Sequence, residues 1–496
     1  MKPMGFRFLW RLGLGLGQLI LLQGCEVGPD YHTPPAPAAK LTMPVQSGPG
    51  AQSFVQGADI EGDWWHLFQS KALDGMVRAG LANNPNLAAA QASLVEAEEN
   101  LRAAGGMLVP SVAFSAQAER QQPAGSGLAA FGSSTGTRAI PPYTLYTSSL
   151  TVSYALDLWG EARRDIEGKE AQAEYQRDEL EAAYLTLTGN IVTEAVQEAA
   201  LRGQIEATNK VIADEARTLR ILRAQQAAGG ASGAQVLQQQ AQLAQAQATL
   251  PPLQQAQAQA QNQLVAYEGG LPGGAAAPPI TLGDLSLPPD VPVSLPSSIV
   301  AQRPDIRAAA AQLHEASANV GVATAQLLPQ ITLSAEIGRS SLTPGTLFSP
   351  TTLLWNLVAG LSQPVFQGGT LLAQRKSAIA ALHVAGAQYQ DTVVTAFQNV
   401  ADALSALQYD QDELNEATAA RMAAGQSLRL TQAQFQLGAE PLTAVLTAQT
   451  TYQQAVLAEV KAKAARLSDT AALYVTLGGG WWHRNDVAQT CCGVVP

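Results

Sequence analysis

The stretch "AQRPDIRAAAAQLHEASANVGVATAQLLPQITLSA" (301–335) changes periodicity at one proline. Before it, Ala-rich sequence carries apolar residues at helical spacing. After it, Ile331, Leu333, Ala335 and Ile337 alternate with Gln330, Thr332, Ser334 and Glu336. Pro304 sits in a first helical turn, where a missing N–H costs nothing. Pro329 steers its predecessor away from the α region, so a helix over 304–328 followed by a strand is predicted. An earlier stretch, "ANNPNLAAAQASLVEAEENLRAAGGMLVPSVAFSA" (82–116), has the same plan, with Pro85 and Pro110 each 219 positions before Pro304 and Pro329. Further along, "AAGGASGAQVL" (227–237) parallels "QLGAEPLTAVL" (436–446) at an offset of 209, so the first copy carries about ten extra residues in its Glu119–Thr144 loop. The chain is an internal two-fold repeat.

Each copy reads as helix, strand, loop, strand, very long helix, tight turn, helix. The predicted strands, about 110–119, 147–158, 330–339 and 353–363, alternate with a period of two. Val152, Tyr154, Leu333 and Leu357 fall on the apolar side, the side expected to meet lipid. Runs of about 9–11 residues match a tilted strand crossing a bilayer. Four strands cannot close a barrel, which needs about eight, and open edges in lipid would cost several kcal/mol per unpaired group. Oligomerisation is therefore expected, and a trimer would supply twelve strands. The long helices, predicted over about 160–228 and 368–437, contain no proline. Positions 372 to 435 taken every seventh residue are apolar in eight of ten cases, a coiled-coil seam. Some 70 residues span roughly 105 Å at about 1.5 Å each, too long for a compact globule.

The ends read differently. Lys2, Arg7 and Arg11 precede a mostly apolar run, Leu12–Leu22, too short to span a bilayer and suited to a signal peptide over residues 1–24. "LQGC" (22–25) resembles a lipobox, which makes Cys25 the expected lipidation site, carrying N-acyl and S-diacylglycerol chains. Residues 25–60 read as a lipidated, extended tether, 61–268 as the first copy, 269–295 as a Pro/Gly-rich linker, 296–480 as the second copy, and 481–496 as a dispensable tail holding Cys491 and Cys492. The net charge of −11 comes with no basic cluster, which excludes a nucleic-acid footprint. His32, His66, His314, His383 and His483 are dispersed, with no metal-site spacing and no phosphate loop. No cofactor and no enzymatic activity are expected.

In order along the chain stand "GCEVGPDY" (24–31), "WWHLF" (64–68), "NNPNL" (83–87), "LPPLQQAQAQAQNQL" (250–264), "RPDIRAA" (303–309), "LLPQITLSA" (327–335), "QPVFQGG" (363–369) and "LGAEPLTAVLTAQ" (437–449). Through nearly the whole mature chain these resemble the outer-membrane efflux factors, the TolC-like channels, and especially their NodT-type lipoproteins. The resemblance implies a mixed α and β fold: a trimeric, 12-stranded outer-membrane barrel continuous with a periplasmic α-helical coiled-coil barrel. It implies a passive exit duct for small molecules such as drugs, in the Gram-negative outer membrane. The partners implied are a periplasmic adaptor and an inner-membrane transporter of the RND type. Helix tips resembling adaptor-contacting turns contain Gly229, Gly233, Val236, Gly438, Pro441, Leu442 and Val445, and the resemblance places the gate or lumen near Arg220, Arg429, Leu428 and Thr431. Two other readings fit the residues: a lipid-anchored periplasmic coiled-coil scaffold, and an exit channel for protein secretion.

Overall fold

The computed structural model describes residues 26–35, 51–122, 141–273, 278–294 and 296–484. Cys25, the signal segment, Cys491 and Cys492 lie outside these residues. In chain order the strands are β1 (Ser53–Gln56), β2 (Ser111–Gln121), β3 (Tyr143–Leu156), β4 (Asp290–Val293), β5 (Gln330–Ser341) and β6 (Leu353–Ser362). The helices are α1 (Lys71–Asn83), α2 (Pro85–Gly105), α3 (Glu161–Ala227), α4 (Gly233–Ala248), α5 (Leu250–Tyr267), α6 (Pro296–Gln302), α7 (Pro304–Ala325), α8 (Thr370–Gln436) and α9 (Leu442–Thr476). Two compact units share the chain. One joins Glu96–Glu174 and Ala311–Ala387 to the residues up to Thr33; the other joins Pro34–Val95, Tyr175–Ala310 and Gln388–Pro496.

The first unit is built on a four-stranded antiparallel sheet in the order β2-β3-β5-β6. The proline punctuation works as expected: α2 opens on Pro85 and α7 on Pro304. The third strand of the chain starts at Tyr143 rather than near residue 147, because "YTLYTSS" pairs fully with Glu119–Gln121 and their neighbours on β2. Among the described residues, β2 and β6 each pair along one edge only.

The same unit seats the first described residues, the start of the expected extended tether. Arg164, nearly inaccessible, binds Asp30 at 2.6 Å, Glu167 at 2.7 Å and Glu26 at 3.4 Å. Tyr31 stacks on His314 with centroids 4.3 Å apart, and His314 meets Glu167 at 2.9 Å. Val27 N–H donates to the Trp159 carbonyl, and Gly28, at φ +111°, lies flat on Gly321, where a Cβ would come within 2.5 Å of backbone. Hydrogen bonding to Arg164 holds the Asp30 carboxyl below its usual range. The strap is fastened residue by residue.

The second unit owes its core to "WWHLF". Trp64 and Phe68 are fully buried, and Trp64 stacks on Tyr474 at 5.6 Å. Asn84 caps α2 by accepting from the Asn86 and Leu87 N–H groups, while its amide donates to the Tyr267 carbonyl. In "RPDIR", Arg303 binds Asp305 and donates to the Thr476 carbonyl at 2.7 Å, satisfying an orphan acceptor at the end of α9. Pro251 and Pro252 are harmless because one helix ends at Ala248 and the next begins at Leu250, leaving both prolines in a first turn.

Three segments depart from the domain reading. Within the expected tether, β1 pairs in parallel with β4 of the expected linker, Ser53 opposite Asp290 and Gln56 opposite Val293. At four residues each, neither strand carries enough alternation to announce itself. The start of the supposed tail is also docked: Trp481 donates to the Gln302 carbonyl, Trp482 and His483 meet Asp59, and Arg484 binds Glu181 at 3.0 Å.

Candidate functional site

Register sorts the sheet's side chains by face. Phe114, Leu150, Ile337 and Trp355 stand in one row across the four strands, and Val112, Val152, Ala335 and Leu357 in the next on that face. Tyr154 and Leu333 pair on it too. Phe114 (71%), Trp355 (74%) and Leu357 (73%) are largely exposed, an apolar surface that calls for lipid or a partner. The opposite face carries Ala113, Thr151, Glu336 and Asn356 in one row and Ser115, Ser149, Gly338 and Leu354 in another. It is wired with polar contacts, Ser115 to Ser149 at 3.0 Å and Asn356 to Glu336 at 3.0 Å. Just past β6, Val365 and Phe366 are almost wholly exposed.

At the other candidate region, two helix-turn-helix tips pack together. α3 ends in a turn with Gly229 at φ +79°, and Ser232 caps α4 through a reciprocal capping box with Gln235. α8 ends with Gly438 at φ +76°, and Pro441 precedes α9. Leu219, Leu222, Val236 and Leu442 form one buried cluster, flanked by Phe435, Leu243 and Leu446. Of the predicted tip residues, Gly229, Gly233, Gly438 and Pro441 are on the surface, while Val236, Leu442 and Val445 are buried. The last three pack within the tips and help hold the turns in shape.

The four gate candidates are not brought to one place. Leu428 and Arg429 line a groove of about 390 Å³ with Asp214, Arg217, Leu222 and Tyr452. Thr431 lines a separate groove with Ser427, Thr443 and Thr447, and Arg220 is exposed and lines neither.

Two carboxylates, one half-buried and one buried, were not singled out from sequence. Asp410 of α8 lies beside Asp469 and Arg466 of α9, and burial together with Asp469 raises its pKa. Glu215 of α3 is 1% exposed and neither carboxyl oxygen has a hydrogen-bond partner. Burial pushes it up to about 7. Asp410 sits at the same heptad place as the buried Tyr389, Ala396 and Ala403, the signal that finds it. Among the described residues no cluster of His, Cys, Asp and Glu could hold a metal, and no helix is long and apolar enough to cross a membrane.

A sheet apolar on one face and polar on the other, with proline-free 67-residue helices, defines a TolC-like channel protein. The family model described as outer membrane efflux protein matches residues 77–270 and 295–479, and the chain belongs to that family. It is 32% identical over 428 residues to the pyoverdine export outer membrane protein OpmQ of Pseudomonas putida, covering 84% of this chain and 88% of that one. It is 30% identical over 476 residues to the probable efflux pump outer membrane protein TtgC of Pseudomonas putida, covering 95% of each. The fold matches the CmeC outer membrane channel of Campylobacter jejuni with a TM-score of 0.84 at 20% identity, over 94% of this chain and 98% of that one. The chain is an outer-membrane efflux-pump component and not an enzyme.

Proposed function

We propose that three copies of this chain form a passive, water-filled exit duct for small molecules. Each contributes four strands to a 12-stranded outer-membrane barrel and its long helices to a periplasmic tunnel. The sheet carries this reading: a largely apolar face, a polar face, and two outer strands that, among the described residues, each have one unpaired edge. Bare edges in lipid are prohibitive, whereas joining β2 of one copy to β6 of the next satisfies them and turns the polar face inward. Cys25 bears the lipid, and the strap from Glu26 to Tyr31 sets where that anchor leaves the protein. The surface turns at Gly229, Gly233, Gly438 and Pro441 meet a periplasmic adaptor, which joins the duct to an inner-membrane transporter of the RND type. Arg220 and Arg429 remain our lumen candidates, and Leu428 and Thr431 further gate candidates on α8. OpmQ is named for pyoverdine export; in this chain a wide wet path leaves substrate choice to the pump.

Purified protein reconstituted in planar bilayers tests the proposal. Ion conductance from a species of trimer mass is expected, with acylated Cys25 found by mass spectrometry. A stable, water-soluble, non-conducting monomer overturns it.

A further inference from the structure

Glu215 stands one helical turn before Leu219 of the tip cluster, on the same face of α3. Two of the segments around it carry almost no charge. α4, packed alongside, has no ionisable residue over its entire length, and on α9 the stretch from Leu442 to Tyr452 has only Tyr452. Arg421 is engaged with Glu459 and Lys210 with Glu206. Asp214, Arg217 and Arg429 line the neighbouring groove. No cation is bonded to Glu215, and an ionised carboxylate buried that way is costly.

One adjoining amide offers an acceptor to the opposite protonation state. Gln239 donates its amide to the Glu215 backbone carbonyl at 3.2 Å, leaving its own Oε1 without a donor. Gln242 donates to Thr450 at 3.1 Å, tying α4 to α9, and offsets only part of the burial effect on Glu215. A neutral carboxyl has an O–H to give to such an acceptor, whereas a carboxylate only accepts. The second copy supplies a comparison: at the repeat offset of 209, the place of Glu215 is taken by Ala424, which is buried and cannot titrate.

We propose that Glu215 is a proton-operated latch in the first helical tip: with its proton it keeps α3, α4 and α9 packed, and without it they loosen. The device is confined to one of the two tips in each chain. Its bearing on transport rests on the reading of the tips as the periplasmic end of the duct.

The test is hydrogen exchange of peptides covering 233–248 in full-length protein in lipid nanodiscs at pH 6 and pH 8, corrected for intrinsic exchange chemistry. With a folded pKa of about 7 and an ordinary one once loosened, opening should rise about tenfold over that interval. Glu215→Gln and Glu215→Ala should abolish the rise; the alanine copies the second tip and is expected to fold. A pH-independent wild type, or a tenfold rise persisting in Glu215→Gln, overturns the latch. Planar-bilayer conductance rising over the same interval only in the wild type joins the latch to the gate. Flat conductance alongside responsive exchange upholds the latch and refutes the tip as gate.

Discussion

Leu150 is the place to ask whether the apolar face meets lipid. It is the eighth of fourteen residues in β3, with Phe114 opposite on one side and Ile337 on the other, and it is 41% exposed. In water alone, Leu150→Arg would be nearly neutral, because none of the described residues covers Leu150, which is 41% exposed. At the middle of a membrane-crossing strand the same change costs about 2–4 kcal/mol, which is about 30- to 1,000-fold in an assembly equilibrium. Thr151→Arg is the control, one residue on and facing the other way. Its cross-strand neighbours are Ala113 and Glu336, so a new guanidinium gains a carboxylate. The assay is urea titration of barrel assembly in vesicles, followed by the heat-dependent shift of the oligomer on gels. Leu150→Arg should lose assembly in that range while Thr151→Arg stays within about 1 kcal/mol of wild type. Equal assembly of both variants would refute the lipid-facing argument and favour a periplasmic scaffold.

Other outcomes follow from particular contacts. Asp410 has a folded pKa raised by burial and by Asp469, so its contribution is full at low pH and is lost as pH rises through the raised value. Asp469→Asn removes the like charge and should stabilise the protein at pH 8 by about 1.5–3 kcal/mol, the scale of a hydrogen bond to a charged group, with no gain at pH 5 in thermal melts. Arg164→Met leaves Glu26, Asp30 and Glu167 without their shared cation. Limited proteolysis should then cut within 26–35, sites that stay protected in the wild type. Ser232→Ala removes the capping box of α4 and should cost about 0.5–2 kcal/mol, read as faster hydrogen exchange in its first turn.

Much of the fold is legible because it rests on periodicity and proline. Pro85, Pro110, Pro304 and Pro329 mark the turns into and out of α2, β2, α7 and β5, and alternation assigns Val152, Tyr154, Leu333 and Leu357 to one face, as the register has them. The seven-residue step finds Val393, Val400 and Leu407, all buried. What stayed hidden depends on partners far along the chain. Asp30 and Arg164 are 134 residues apart, and Asp59 meets His483 across 424. No local pattern links such residues. The tip glycines were visible as helix stops, yet the inward aim of Val236, Leu442 and Val445 is settled only by two hairpins packing on each other. Glu215 was missed because, in a helix as rich in charged residues as α3, it looks like one more solvated charge until α4 and α9 cover it.

The small parallel pair of Ser53–Gln56 with Asp290–Val293 also sets a timetable. A ribosome must deliver well over half of the 496 residues before the earlier strand has anything to zip against. Closing so large a loop is entropically slow. Until then the segment that follows the N-terminal strap keeps an open backbone ladder, so its order is among the last parts of the fold to be set.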